Sequence, residues 1–282
     1  MAQTKAKTFL ITGVSSGFGR ALAQAALRDG HVVVGTVRQE GDKADFEKLG
    51  QGAHAVILDV THTAEIAPAI AAIEKNIGAI DVVVNNAGYG HEGILEESSI
   101  EDLRRQFEVN VFGAVAMIQA VLPAMRQRRA GHILNITSMG GIITLPGLSY
   151  YHGSKFALEG ISEALGKEVK DLGIHVTAIE PGGFRTDWAG RSMVRAARSI
   201  ADYDALIEPI RKRRIEASGW QIGDPAKAAA AMLKVAHSDN PPAHLLLGSD
   251  AVRLVGEKMK SLQADFEAWN SVSLSTDVTT NA

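Results

Sequence analysis

The sequence predicts a single doubly wound α/β domain of 282 residues, with a parallel sheet of about seven strands and helices on both faces. Three observations predict it. Short apolar, β-branched runs alternate with longer amphipathic segments along most of the chain. The runs are apolar almost throughout, the pattern of strands covered on both faces. No linker or internal repeat divides the series, so residues 1–282 read as one domain.

The strand-like runs are residues 8–12, 32–37, 55–59, 80–84, 132–137, 175–180 and 244–247. Helix-like segments at 19–28, 64–77, 100–128 and 154–172 lie between them, and a last one spans 251–269. Residues 271–282 are rich in Ser and Thr and are expected to fray. Residues 185–223 break the alternation, being charge-rich and without a strand signal. They emerge beyond the carboxyl ends of the strands, where open α/β sheets bind ligands, so a mobile substrate lid is expected there. Their Arg211-Lys212-Arg213-Arg214 cluster reads as a solvated helix face.

Composition excludes several function classes. Basic and acidic residues nearly balance, 29 against 32, and a formal net charge of −3 leaves no footprint of a nucleic-acid partner. The absence of cysteine excludes disulfides, thiolate nucleophiles and Cys-based metal sites. The nine histidines form no metal-binding pattern, so no metal is expected. No signal peptide or membrane-spanning stretch stands out, and a cytoplasmic protein acting on a small molecule is expected.

The first run leads into Thr12-Gly13-Val14-Ser15-Ser16-Gly17-Phe18-Gly19, which opens the first helix. Glycines there permit positive φ and let the backbone approach a pyrophosphate seated on the helix N-terminus. The spacing departs from G-x-G-x-x-G, but its place after an apolar strand marks a Rossmann-type dinucleotide site. NAD-binding folds place an acid at the end of the second strand for the ribose hydroxyls. Val37 stands there, followed by Arg38. A guanidinium pairs with a 2′-phosphate that an acid would repel, so NADP(H) is the expected cofactor.

Carbonyl reduction needs a proton at oxygen as well as a hydride at carbon. Tyr151 and Lys155 stand four apart, one helical turn, so the ammonium can favour tyrosinate. Tyr150 has Ser154 at that spacing instead. Tyr151 is therefore the expected acid/base, with a pKa below that of free tyrosine. Ser138 closes the fifth run and can donate to the substrate oxygen, while alternation points Thr137 to the other side. Asn110 sits inside a helix despite its poor propensity, which implies a function. His152 is expected to point off the catalytic face. Trp188, Met193 and Trp220 are candidates for an apolar substrate pocket or for core packing.

Together these residues resemble the short-chain dehydrogenase/reductase family over roughly residues 8–190. The resemblance implies that Asn110, Ser138, Tyr151 and Lys155 form a catalytic tetrad, with Asn110 holding Lys155 through a water. It also implies cofactor contacts from Gly13, Ser15, Ser16, Gly17, Phe18 and Gly19, and from Asp59 and Val60 near the adenine. Asn86, Ala87 and Gly88 of Asn85-Asn86-Ala87-Gly88, and Pro181, Gly182, Phe184 and Thr186 after the sixth run, complete the set with Tyr151 and Lys155. The run from Pro181 to Thr186 followed by a long lid is similar to the hydroxysteroid- and retinol-dehydrogenase-like branch, NADP-dependent and acting on apolar substrates. A 3-oxoacyl-carrier-protein reductase, docking its carrier on Arg211–Arg214, and a non-catalytic NADP sensor are the alternatives, and a nucleotide-sugar epimerase fits the glycine spacing less well. Helices 100–128 and 154–172 commonly form homodimer or homotetramer interfaces in the family.

Overall fold

The computed structural model describes residues 6–278. In chain order the first half contains β1 (Thr8–Ile11), α1 (Gly17–Arg28), β2 (Val32–Val37), α2 (Glu40–Glu47), β3 (Ala53–Ile57), α3 (Thr63–Asn76), β4 (Val82–Asn85), β5 (Gly90–Glu92), α4 (Ile100–Phe107) and α5 (Gly113–Arg128). The second half contains β6 (Gly131–Ile136), α6 (Ser149–Val169), β7 (Ile174–Pro181), β8 (Met193–Arg195), α7 (Asp204–Glu216), α8 (Pro225–Ala236), β9 (His244–Leu247), α9 (Ser249–Ala268) and α10 (Asn270–Leu274). Seven strands form one sheet in the order β3-β2-β1-β4-β6-β7-β9, and every pairing is parallel.

Strand alternation divides the core. Phe9, Ile11, Val33, Val82, Val84 and Leu134 pack on Leu22 and Ala26 of α1 and on Met232 and Leu233 of α8. Leu10, Val34, Val83 and Ile133 face the opposite side, against Ile66 and Ile70 of α3 and Met117 and Val121 of α5. Each such buried side chain contributes about 1.5–3 kcal/mol, so both faces hold the sheet between helices. Order reverses between β1 and β4, and the glycine turn and the Asn86 turn meet there.

Residues 100–128 are helical, as expected, but Glu108–Phe112 widens to a π turn that carries Asn110. This helix is long and apolar enough to cross a membrane by length and composition. Its apolar character serves the core: Met117, Ile118, Val121 and Met125 are buried against the sheet.

Several elements escaped the sequence reading. α2 has one buried residue, Phe46, and shows no apolar stripe. α8 carried legible signals: Asp224 caps it, accepting from the Ala226 N–H at 2.8 Å, and Pro225 opens its first turn. The expectation of no strand in 185–223 is corrected: β8 pairs with β5 in a two-stranded sheet. At three residues each, these strands are too short for periodicity to show. Of the tail expected to fray, Asn270–Leu274 is helical and exposed, while residues 279–282 lie outside the described part.

Candidate active site

The turn after β1 is built for close approach. Gly13 and Gly17 take φ of 72° and 57°, which side chains larger than hydrogen resist. The Gly13 and Val14 N–H groups donate to the Thr36 carbonyl, each at 3.2 Å. Asn86 Nδ2 donates to the carbonyls of Thr12 at 2.8 Å and Gly13 at 2.9 Å. The Thr12 hydroxyl accepts the Asn86 and Ala87 N–H groups, both at 2.9 Å. The glycine turn and the Asn86-Ala87-Gly88 turn are thus one rigid unit. Ser16 occupies the N-cap of α1 without capping it through its side chain, so the first-turn N–H groups stay available to an anion. Gly19 has a different role from the one implied for it: a Cβ there would lie 2.3 Å from the Gly13 carbonyl oxygen, so it allows turn and helix to pack.

One cavity of ≈ 790 Å³ connects this turn with the Ser138/Tyr151/Lys155 cluster. Arg38, Asp59 and Val60 line one end, Ser15, Ser16, Gly17 and Phe18 lie along it, and Pro181, Gly182, Phe184 and Thr186 reach the other end. Val37 is buried at the tip of β2 and Arg38 is exposed beside it. Burial works to raise the Asp59 carboxyl. Hydrogen bonds from the Thr61 N–H at 2.9 Å and hydroxyl at 2.8 Å, with the Arg38 charge nearby, hold it below its ordinary value. These groups fit a nicotinamide dinucleotide: uncapped N–H groups suit a pyrophosphate, and a carboxylate and a guanidinium suit ribose and phosphate oxygens.

Ser138 lies two residues beyond β6, at the start of a short 3-10 turn, and Tyr151 and Lys155 stand one turn apart on α6. All three are buried. Lys155 Nζ donates to the Ile136 carbonyl at 2.8 Å and lies 5.8 Å from the centre of the Tyr151 ring. The expectation that Lys155 lowers Tyr151 below free tyrosine is corrected. Burial pushes Tyr151 up to about 12, a hydrogen bond with Ser138 pulling slightly against it. Burial also pushes Lys155 down to about 8 despite Glu159 one turn beyond. Desolvation outweighs the helical pairing because the ammonium sits beside the ring, with its proton given to a carbonyl. At neutral pH the phenol is therefore a loaded proton donor.

Asn110 is buried but does not line the cavity. Its Nδ2 donates to the Tyr89 carbonyl at 3.1 Å and the Ser154 hydroxyl at 3.0 Å, and its Oδ1 accepts the Tyr89 N–H at 3.1 Å. It fastens α6 to the turn beyond Gly88. His152 touches the cavity but is held on both sides: Nδ1 is 2.8 Å from the Gly140 carbonyl, and Nε2 accepts the Leu145 N–H at 2.8 Å. Burial lowers its pKa, and it cannot readily replace Tyr151 as base. Thr137 points away, donating to the Ile179 carbonyl at 2.8 Å.

Apolar side chains form part of the cavity wall beside Tyr151, with Asp187, Arg191 and Ser192 also lining it. The Trp188 ring lies 5.0 Å from that of Tyr151, tilted by 58°, and Met193 and Leu148 pack in the same cluster. Leu145, Ala189 and Val194 extend the wall. Trp220, by contrast, is 81% exposed and belongs to neither core nor pocket. Arg211 and Arg214 are not a solvated face. They bond to Glu92, buried on β5, at 3.1 and 2.7 Å, and Arg195 of β8 lies 3.6 Å from it.

Asp250, missed in the sequence, shapes the Pro181 turn. Its Oδ2 accepts the Gly183 N–H at 2.7 Å, and a Cβ on Gly182 would lie 2.3 Å from Oδ1. An acid in the first turn of α9 was the available signal, but its partner lies 67 residues away.

A doubly wound parallel sheet, a glycine turn at its switch point, and a Ser/Tyr/Lys cluster define a dinucleotide-binding oxidoreductase. The chain belongs to the short-chain dehydrogenase family, whose profile matches residues 7–195. It is 39% identical over 270 residues to oxidoreductase BOA17 of Botryotinia fuckeliana, covering 95% of this chain and 98% of that one. It is 37% identical over 258 residues to a 3-ketodihydrosphingosine reductase of Bacteroides thetaiotaomicron, covering 91% and 93%. The crystal structure of a short-chain dehydrogenase from Streptomyces avermitilis superposes with a TM-score of 0.90 at 39% identity, covering 97% of this chain and 100% of that one.

Proposed function

We propose that this protein is a cytoplasmic NADP(H)-dependent reductase/dehydrogenase acting on the carbonyl or secondary-alcohol carbon of a fairly apolar small molecule. One observation carries the reading: Ser138, Tyr151 and Lys155 converge on a cavity whose far end holds Arg38 and whose near wall is Trp188, Leu145 and Leu148. Bound there, NADPH supplies the hydride. Ser138 orients the substrate oxygen, Tyr151 delivers its proton, and Lys155 steadies the ribose and the developing tyrosinate. Similarity to a protein named 3-ketodihydrosphingosine reductase supports a ketone substrate.

The carrier-protein reductase reading loses its support, because Arg211 and Arg214 are bonded to Glu92. The complete Ser138/Tyr151/Lys155 set supports an enzyme over a sensor.

The test is NADPH consumption with long-chain ketones, retinoids, steroids and acyl thioesters. Ketone reduction with NADPH is expected, and tight NADPH binding without turnover on any carbonyl would favour the sensor. A charge-assisted contact of about 1.5–3 kcal/mol corresponds to roughly ten- to a hundredfold preference for NADPH over NADH. Arg38→Ala should remove most of it and Val37→Asp reverse it. Equal affinities in the unmodified protein would refute the assignment.

A further inference from the structure

We propose that the exposed seam of α9 pairs, antiparallel and about a two-fold axis, with the same seam of a second copy of this chain. The proposal begins with where the helix goes. Ala251 and Val255 are its buried residues, so it leaves the body after its second turn. Among the described residues, little packs against its later turns, where only Lys258 and Leu262 are half-buried.

An apolar stripe nevertheless runs from the packed first turns, where Val255 is buried on the body, along the protruding part. Val252, Val255, Met259, Leu262, Phe266 and Trp269 are separated alternately by three and four residues, the spacing of a coiled-coil seam. Exposure is 57% at Val252, 49% at Met259, 69% at Phe266 and 66% at Trp269. Two large aromatic residues bare on one helical edge mark an interaction surface.

Charge selects the occupant and its direction. Lys258 and Lys260 lie in the first half of the stripe, where Arg253 and Glu257 pair with each other at 2.9 Å, and Asp265 and Glu267 lie in the second. A parallel pair would set lysine against lysine and acid against acid. An antiparallel pair sets Lys258 of each copy against Asp265 of the other. The same register packs Met259 on Leu262 at the centre and Val252 on Trp269 at the ends. The seam is thus complementary to itself under a two-fold axis, which closes the assembly at two arms. This contact is separate from the family's expected interface on helices 100–128 and 154–172.

Light scattering and oxidative cross-linking test it on the full chain. Phe266→Glu combined with Trp269→Glu should halve the solution mass, with the circular dichroism spectrum unchanged. The chain has no cysteine, so introduced thiols report cleanly. Lys258→Cys with Asp265→Cys should give a covalent dimer under mild oxidant, and Lys258→Cys alone should not. Lys258→Glu should weaken association roughly three- to tenfold, and adding Asp265→Lys should restore it. An unchanged mass in the double glutamate variant, cross-linking by Lys258→Cys alone, or failure of the charge swap to rescue would each overturn the proposal. The charge swap also keeps the test valid should the glutamate variant fail to fold.

Discussion

Tyr151 concentrates the chemistry in one phenol. Its proton is held far above neutrality by burial, with Ser138 beside it working the other way. Tyr151→Phe keeps the ring and its contact with Trp188 but removes the proton. Turnover should fall by about 10²–10⁴-fold, measured by NADPH absorbance, with cofactor affinity nearly unchanged. Lys155→Met should lose both turnover and some NADPH affinity, because the ammonium is expected to serve ribose and phenol together. Near-normal alcohol oxidation by Tyr151→Phe would show another base at work. Both residues were legible in the sequence, because a helix places i and i+4 on one face. Their protonation was not, because burial depends on every neighbouring element.

Between elements, Glu92 anchors the segment expected to act as a lid. The segment expected to move for want of strand partners is anchored: β8 pairs with β5, and Arg195, Arg211 and Arg214 gather on one buried carboxylate. Removing one partner of a buried ion cluster costs about 3–5 kcal/mol, since the other charges remain desolvated. Glu92→Gln should therefore lower stability by about that amount and speed amide hydrogen exchange across 193–216 well beyond its effect on β4 and β6. NADPH should slow that exchange in the unmodified protein, because Thr186, Trp188 and Ala189 line the cavity. Exchange in 193–216 that ignores both the substitution and the cofactor would remove the lid. The arginine cluster misled the sequence reading because its counter-charge lies more than a hundred residues away.

At the scale of the whole molecule, Glu159 of α6, Glu180 of β7 and His244 of β9 tie helix and sheet edge together. His244 Nδ1 lies 3.0 Å from Glu159 and 2.8 Å from Glu180. Burial, reinforced by Glu159, pushes Glu180 up to about 7. Burial works to lower His244, but the two glutamates together raise it. Both groups hold protons more tightly folded than unfolded. The stability they contribute is complete below the ordinary glutamate value of 4.5 and is lost as pH rises through about 7. The thermal midpoint should fall between about pH 5 and pH 8, and Glu180→Gln should flatten that slope. An unchanged slope in Glu180→Gln would assign the pH dependence elsewhere.

The sequence by itself determined the sheet class, its seven strands, the glycine turn and the Tyr151/Lys155 pair, because each rests on local periodicity or on spacing within one helix. Only the tertiary structure decided what depends on distant partners. It turned Arg211 and Arg214 onto Glu92, set Asp250 under the Pro181 turn, drew Asn110 back from the cavity, and raised Tyr151 instead of lowering it. The physical reason is the same in each case. Desolvation and long-range ion pairing are fixed by which elements pack together, and that information is not contained in any one stretch of the chain.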